Sequence, residues 1–269
     1  MAVYPADPVH ERHASAATAG YAQVNGLRMY YEIHGSGRPL VVLHGGLMTI
    51  DLAFGAILPA LAAGRQVIAV ELQGHGHTAD TERELTLDNL ADDIAVLLGE
   101  LGIERADLFG FSLGGLTALR VAMRHPERVG RLVAAATHYR SAGYHPEIRN
   151  PQPGDSSDRM PTQADFQQWQ DEYARVAPDP AQFFALVAKA SRTPDDVDGW
   201  TEAELGSIAA PTLLIVGDND FVRLDHAAAM RDLIPGAQLA VLPGATHMGV
   251  LRRTDLLLPL VETFLAQGD

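Results

Sequence analysis

Apolar and polar positions along the chain follow two periods. Tyr21–Val24 and Leu27–Ile33 are short β-rich runs on either side of Asn25-Gly26, a pair that favours a type I′ turn, and they predict an antiparallel hairpin. The runs that follow are different in kind: Leu40–Leu43, Val67–Val70, Ala106–Phe109, Leu132–Ala136 and Leu213–Val216 are apolar without alternation. Strands covered on both faces read this way. Between them, Leu87, Leu90, Ile94, Leu97, Leu98 and Leu101 recur at helical spacing, as do Leu116, Leu119, Val121 and Ala122, and a last helix is predicted over Thr254–Ala266. Strand and helix alternate, which predicts an α/β fold with a mostly parallel sheet.

One stretch breaks the rhythm. From His138 to Pro211 the chain is too long for a single crossover connection, and it reads as an inserted lid. Its first part, Ser141–Gln163, is rich in Pro, Gly, Ser and Asp and is expected to be loop. Phe166, Trp169, Tyr173, Phe183, Phe184, Leu186 and Val187 then recur at helical spacing, as packing residues or as a substrate-facing surface. The resulting division is a flexible N-terminus over 1–20, a core over 21–138 and 206–269, and a lid over 139–205.

Composition narrows the function. The chain has 269 residues, 47% of them hydrophobic, enough for one substantial core. Its 20 Lys+Arg against 34 Asp+Glu leave a net charge of −14. That balance repels phosphate backbones and anionic membranes, so neither nucleic acid nor a membrane is an expected partner. Without Cys there is no disulfide, thiolate metal site or cysteine nucleophile. Met1–Gly20 has neither a basic start nor an apolar segment, so no secretory signal is read there and a cytoplasmic location is expected.

Several predicted strands end in Gly-rich turns, the place where parallel sheets bind ligands. The sharpest is Gly110-Phe111-Ser112-Leu113-Gly114, a G-x-S-x-G pattern where an apolar run gives way to a helix. A serine in so tight a turn needs neighbours without a Cβ, and Gly110, Gly114 and Gly115 meet that need. Such a turn leaves the amide of Leu113 at a helix N-terminus, facing any anion formed beside the serine. The alternative use of Ser112 is to cap the helix. A serine nucleophile needs a base, and the base an orienting acid. Gly217-Asp218-Asn219-Asp220 and Gly244-Ala245-Thr246-His247 supply both, in that order, after the next two strands.

Together with His44-Gly45-Gly46 and Gly74-His75-Gly76, these pieces make the chain resemble the α/β-hydrolase fold superfamily, in its serine-nucleophile, esterase- or lactonase-like branch, from Tyr21 to the last helix. The resemblance implies an eight-stranded, mostly parallel sheet with an antiparallel N-terminal hairpin, helices on both faces and a helical lid after the sixth strand. It implies Ser112 as nucleophile, His247 as general base and acid, and Asp220 as orienting acid in preference to Asp218. The oxyanion hole falls to the amides of Gly46 and Leu113, with Leu47 in reserve. Leu47, Phe111, Trp169, Phe183 and Met248 are the expected substrate-lining side chains. Glu71 and Thr78 depart from the Asp and Ser often seen at those places.

His75-Gly76-His77-Thr78-Ala79-Asp80 invites a metal reading, but Ala79 stands where the H-x-H-x-D-H spacing needs an acid, so no metal site is expected. His44 is read as a hydrogen-bonded framework residue. The expected activity is hydrolysis of a small carboxylic ester or lactone through an acyl-enzyme, without metal or organic cofactor, by a monomer or homodimer. Its rate should fall as acid protonates the imidazole. Carbon–carbon hydrolysis, enol-lactone hydrolysis, perhydrolysis and acyl transfer share the same residues, and a low-turnover receptor for a small molecule is the alternative from another class.

Overall fold

In the computed structural model, which describes residues 18–150 and 157–267, eight strands form one sheet in the order β1-β2-β4-β3-β5-β6-β7-β8. They are β1 (Thr18–Val24), β2 (Leu27–His34), β3 (Arg38–Leu43), β4 (Arg65–Val70), β5 (Ala106–Phe111), β6 (Val129–Ala135), β7 (Thr212–Asn219) and β8 (Gln238–Thr246). The hairpin forms as expected, with Asn25 and Gly26 at φ of 48° and 85°, both positive as a type I′ turn requires. β1 pairs antiparallel with β2 and β2 with β4, and every later pairing is parallel. The apolar runs are interior: Leu40, Val41, Val42, Leu43, Val67 and Ile68 are all fully buried.

β1 starts at Thr18, which pairs with Ile33, so Thr18–Gly20 belong to the sheet and not to a flexible tail. Cross-strand bonding to β2 holds them, a constraint their small side chains do not reveal. The rest of the segment read as a flexible N-terminus lies outside the described residues.

The strand order decides where a site can form. After β3 the chain turns to β4 on one side, then crosses to β5 on the other, so the loops leaving β3 and β5 diverge above a switch point. The helix Leu113–Arg124 follows β5 and packs against the Thr86-capped helix Leu87–Glu100; Arg120 bonds Asp88, and Arg124 bonds Asp92 at 2.9 Å. Among the described residues no helix is long and apolar enough to cross a membrane.

Between β6 and β7 the chain forms the helices Gln163–Val176 and Phe183–Ala190. The first opens with a reciprocal capping box between Thr162 and Asp165. Ser141–Gln163, expected as loop, is partly ordered otherwise: Ser141–Gly143 is a 3-10 turn, Pro146–Arg149 a short helix begun by its proline, and 151–156 lie outside the described residues. The chain is held there because His145 N donates to Phe221 O and Arg223 N to Gly143 O, both at 2.9 Å. Lys189, the chain's single lysine, ties the inserted segment to the loop after β4 through Asp80 at 2.7 Å.

Candidate active site

Ser112 sits between the end of β5 and the following helix at φ 52°, ψ −117°, a conformation costly for a residue with a Cβ. Its surroundings impose it. A Cβ on Gly110 would lie 2.2 Å from Gly114 O, one on Gly114 2.0 Å from Leu43 O, and one on Gly115 2.4 Å from the Thr137 methyl. The Ser112 side chain makes no bond to cap the helix. Its Oγ lies 2.9 Å from His247 Nε2 instead.

His247 follows β8 and is 4% exposed, with Nδ1 2.7 Å from Asp220 Oδ1. Asp220 is 1% exposed and is held by backbone donors: Phe221 N at 2.6 Å and Val222 N at 3.4 Å on Oδ1, Gly217 N at 3.3 Å on Oδ2. A buried carboxylate fixed by several amides has one orientation to offer, which in turn selects the His247 tautomer with its proton on Nδ1 and Nε2 facing the serine. Asp218 is exposed, and its Oδ1 accepts from Ala245 N at 3.1 Å, so it ties β7 to β8 and does not reach His247.

Phe221 lies flat on His247, with ring centroids 3.9 Å apart and planes 7° apart, and Phe111 approaches the same ring at 5.2 Å. Sequence reasoning missed Phe221, although its place directly after Asp220 was a signal. Tyr144, from the inserted segment, packs edge-on to Phe221 and on His138 at 4.1 Å. Burial, and after it the charge of Asp220, raises the Tyr144 hydroxyl well above its ordinary range, so it stays protonated.

The turn after β3 comes up beside the serine. Met48 N donates to Gly45 O at 3.3 Å, and Leu47 within it has φ 64°. Gly45 must be glycine, because a Cβ would lie 2.9 Å from the Phe111 ring. Gly46 need not be: its added Cβ would meet nothing nearer than Leu113 Cδ2 at 4.0 Å.

His44 holds this turn from below. Its Nδ1 donates to Gly45 O at 2.8 Å and its Nε2 accepts from Leu72 N at 3.1 Å, and burial, then the neighbouring His75, lowers its pKa to about 3. Glu71 explains its departure from the family pattern. Its buried carboxylate accepts from His77 N at 2.5 Å, pairs with His77 Nδ1 at 2.9 Å and reaches Ile50 N at 3.5 Å, while its carbonyl accepts from Thr78 Oγ1 at 2.8 Å. The hydrogen bond His77 donates to the Glu71 carboxylate, against partial burial, raises the His77 pKa. His75 Nδ1 donates to Gln73 O at 2.9 Å, so the two histidines turn to separate partners; among the described residues no group of three or more His, Asp or Glu is placed to hold a metal ion.

Of the expected lining residues, Trp169 and Met248 share one cavity of about 30 Å³ with Met48, Leu52 and Arg252, between the inserted helix and the His247 loop. Phe111 immediately precedes the serine as the last residue of β5, and Leu47 lies in the turn after β3. Phe183 is 2% exposed and enclosed by Phe166, Tyr173 and Phe184, so it packs the inserted segment itself.

A mostly parallel sheet with a serine held among glycines at a strand–helix turn, hydrogen-bonded to a histidine that in turn bonds a buried aspartate, defines the α/β-hydrolase class. Comparison with known proteins agrees. A family model described as alpha/beta hydrolase fold matches residues 38–196. The chain is 32% identical over 263 residues to a 2-hydroxymuconate semialdehyde hydrolase of a Pseudomonas species, covering 91% of this chain and 92% of that one. It is 26% identical to a 2-hydroxy-6-oxo-6-phenylhexa-2,4-dienoate hydrolase of Burkholderia cepacia, covering 91% and 93%. Among solved structures, the N-acyl homoserine lactone degrading enzyme Est816 superposes with a TM-score of 0.73 at 25% identity, covering 91% and 99%. The chain belongs to the α/β-hydrolase fold family and is a hydrolase.

Proposed function

We propose that the protein cleaves a small carboxylic ester or lactone through an acyl-enzyme, with Ser112 as nucleophile, His247 as general base and acid, and Asp220 as orienting acid. The observation that carries this reading is the unbroken chain from Ser112 Oγ to His247 Nε2 at 2.9 Å and from His247 Nδ1 to Asp220 Oδ1 at 2.7 Å. Ser112 Oγ attacks the carbonyl carbon while its proton passes to His247 Nε2, and the Asp220 carboxylate stabilises the imidazolium. The amides of Leu113 and Gly46 receive the oxyanion. Collapse expels the alcohol, which takes the proton from His247, and a water activated by the same imidazole then releases the acid. The segment 139–205 serves as the lid over this site.

Cleavage of a carbon–carbon bond next to a carbonyl is the second reading, favoured by the 32% identity to a hydrolase of 2-hydroxymuconate semialdehyde. The test assays the purified protein and Ser112→Ala on p-nitrophenyl acetate, butyrate and octanoate, an N-acyl homoserine lactone, and 2-hydroxymuconate semialdehyde. Ester or lactone turnover near ~1–10 s⁻¹, falling about a thousandfold or more in the variant, upholds the first reading. Turnover of the semialdehyde alone replaces it with the second. Activity that survives Ser112→Ala unchanged overturns both.

A further inference from the structure

The opposite end of the sheet carries a second cavity, of about 260 Å³, lined by Arg38, Arg105, Asp107, Gly130 and Arg131. Arg38 opens β3 and Arg105 immediately precedes β5, while Asp107, Gly130 and Arg131 fall within the first three residues of β5 and β6, whereas Ser112 and His247 lie beyond the last residues of β5 and β8. Four residues of β5, Leu108–Phe111, separate Asp107 from Ser112, about 16 Å at strand rise. The cavity is therefore no part of the hydrolytic site.

Its charge runs against that of the molecule. Among the described residues that line it are three guanidinium groups and one carboxylate, in a chain of net −14. Asp107 Oδ1 accepts from Arg38 Nη2 at 3.0 Å and from Arg131 N at 2.8 Å, and Oδ2 lies in an ion pair 2.9 Å from Arg38 Nε. The carboxylate pairs directly with Arg38, whereas the guanidinium groups of Arg105 and Arg131 make no salt bridge among the described residues. Arg105 spends its Nε on Val129 O at 2.9 Å. The Arg131 guanidinium stands 5.7 Å over the Phe264 ring, and its buried Nε has no hydrogen-bond partner among the described residues. A buried cationic donor with no acceptor is costly, and such groups are normally matched by an acceptor.

Space is reserved for this arrangement. A Cβ on Gly130 would lie 2.4 Å from Asp107 Oδ1 and 3.4 Å from Arg38 Nη2, so glycine there lets the carboxylate and guanidinium meet at the cavity wall.

We propose that this cavity binds a small dianionic phosphate, free or as the monoester of a small molecule, held by Arg131 and Arg105 with Arg38 at its edge. Guanidinium forks match phosphate oxygens in pairs, and a dianion pairs with the two guanidinium groups that make no salt bridge. The volume lies just under the roughly 300–1,000 Å³ of sites for drug-sized ligands, which suits phosphate with a few carbons and excludes a nucleotide. The negative charge of the whole molecule disfavours a nucleic acid backbone as the source.

The test is calorimetric titration of the full chain with inorganic phosphate, glycerol phosphate and acetate, at low salt and at 300 mM NaCl, together with unfolding midpoints at each ligand concentration. Wild type should bind one phosphate per chain and unfold at a higher temperature in its presence, with acetate inert. Arg131→Gln and Arg105→Gln should each weaken binding by about ten- to a hundredfold. Because Arg105 is exposed, its variant keeps the test decisive should Arg131→Gln fold poorly. Glycerol phosphate binding tenfold tighter makes the ligand an organic monoester, and parity makes it free phosphate. No saturable heat up to 50 mM, or equal binding by wild type and both variants, overturns the site.

Discussion

At the scale of single residues, the two aspartates after β7 give the sharpest prediction. Asp220 is buried against His247 and three amides, while Asp218 only ties Ala245 to the end of β7. Asp220→Asn should lower kcat about 10³- to 10⁴-fold with the fold intact, whereas Asp218→Asn should leave kcat near its parent value, as ester assays of both variants will tell. The glycines divide just as clearly. Gly114→Ala forces a methyl to within 2.0 Å of the Leu43 carbonyl and should cost about 3 kcal/mol or more in urea unfolding. Gly46→Ala, with 4.0 Å of clearance and its amide retained, should keep both stability and activity. The glycines and the Ser-Asp-His order were legible in the chain because steric and chemical demands at the turn act on adjacent residues. The stacking of Phe221 on His247 and the reach of Glu71 to Ile50 were not, since those partners lie many residues away.

At the scale of elements, the inserted segment is where sequence reasoning was weakest. Helical spacing of Phe166, Trp169 and Tyr173 indicated a helix, yet no local rule says which aromatic faces the core and which faces a neighbouring helix. The structure turns Trp169 toward Met248 and closes Phe183 among other rings. With only about 30 Å³ between them, Trp169 limits what fits beside Met248. Trp169→Ala should move the preferred p-nitrophenyl ester to a longer acyl chain, raising the octanoate-to-acetate ratio of kcat/KM by about tenfold or more. An unchanged ratio would remove Trp169 from the acyl pocket.

At the scale of the whole molecule, buried neutral histidines set the acid limit of stability. Burial lowers His44 to about 3 and His75 and His138 to about 4. In the unfolded chain each takes a proton near the ordinary ~6.5. Because the folded values are depressed, this contribution to stability is complete above about pH 6.5 and is lost progressively as the pH falls toward 4. Unfolding at pH 5 should therefore take up close to three protons from these residues, in addition to any carboxylate contribution, and replacing His138 by Gln should reduce the slope of stability against pH by nearly one proton. Denaturant midpoints measured from pH 5 to 8 supply that slope.

The chain alone determined the βαβ rhythm, the hairpin and the residue types at the strand ends, because apolar periodicity and glycine sterics are properties of neighbours in sequence. Only the tertiary structure decided which of those ends meet. The reversal of strand order around β3 brings the Gly45–Met48 turn beside Ser112, and the β7–β8 pairing carries Asp220 to His247. The same sheet gathers Arg38, Asp107 and Arg131, each unremarked in its own segment, around one cavity at its other end. Pairing across strands is a long-range choice that burial and hydrogen bonding make together, so no local window of sequence contains it.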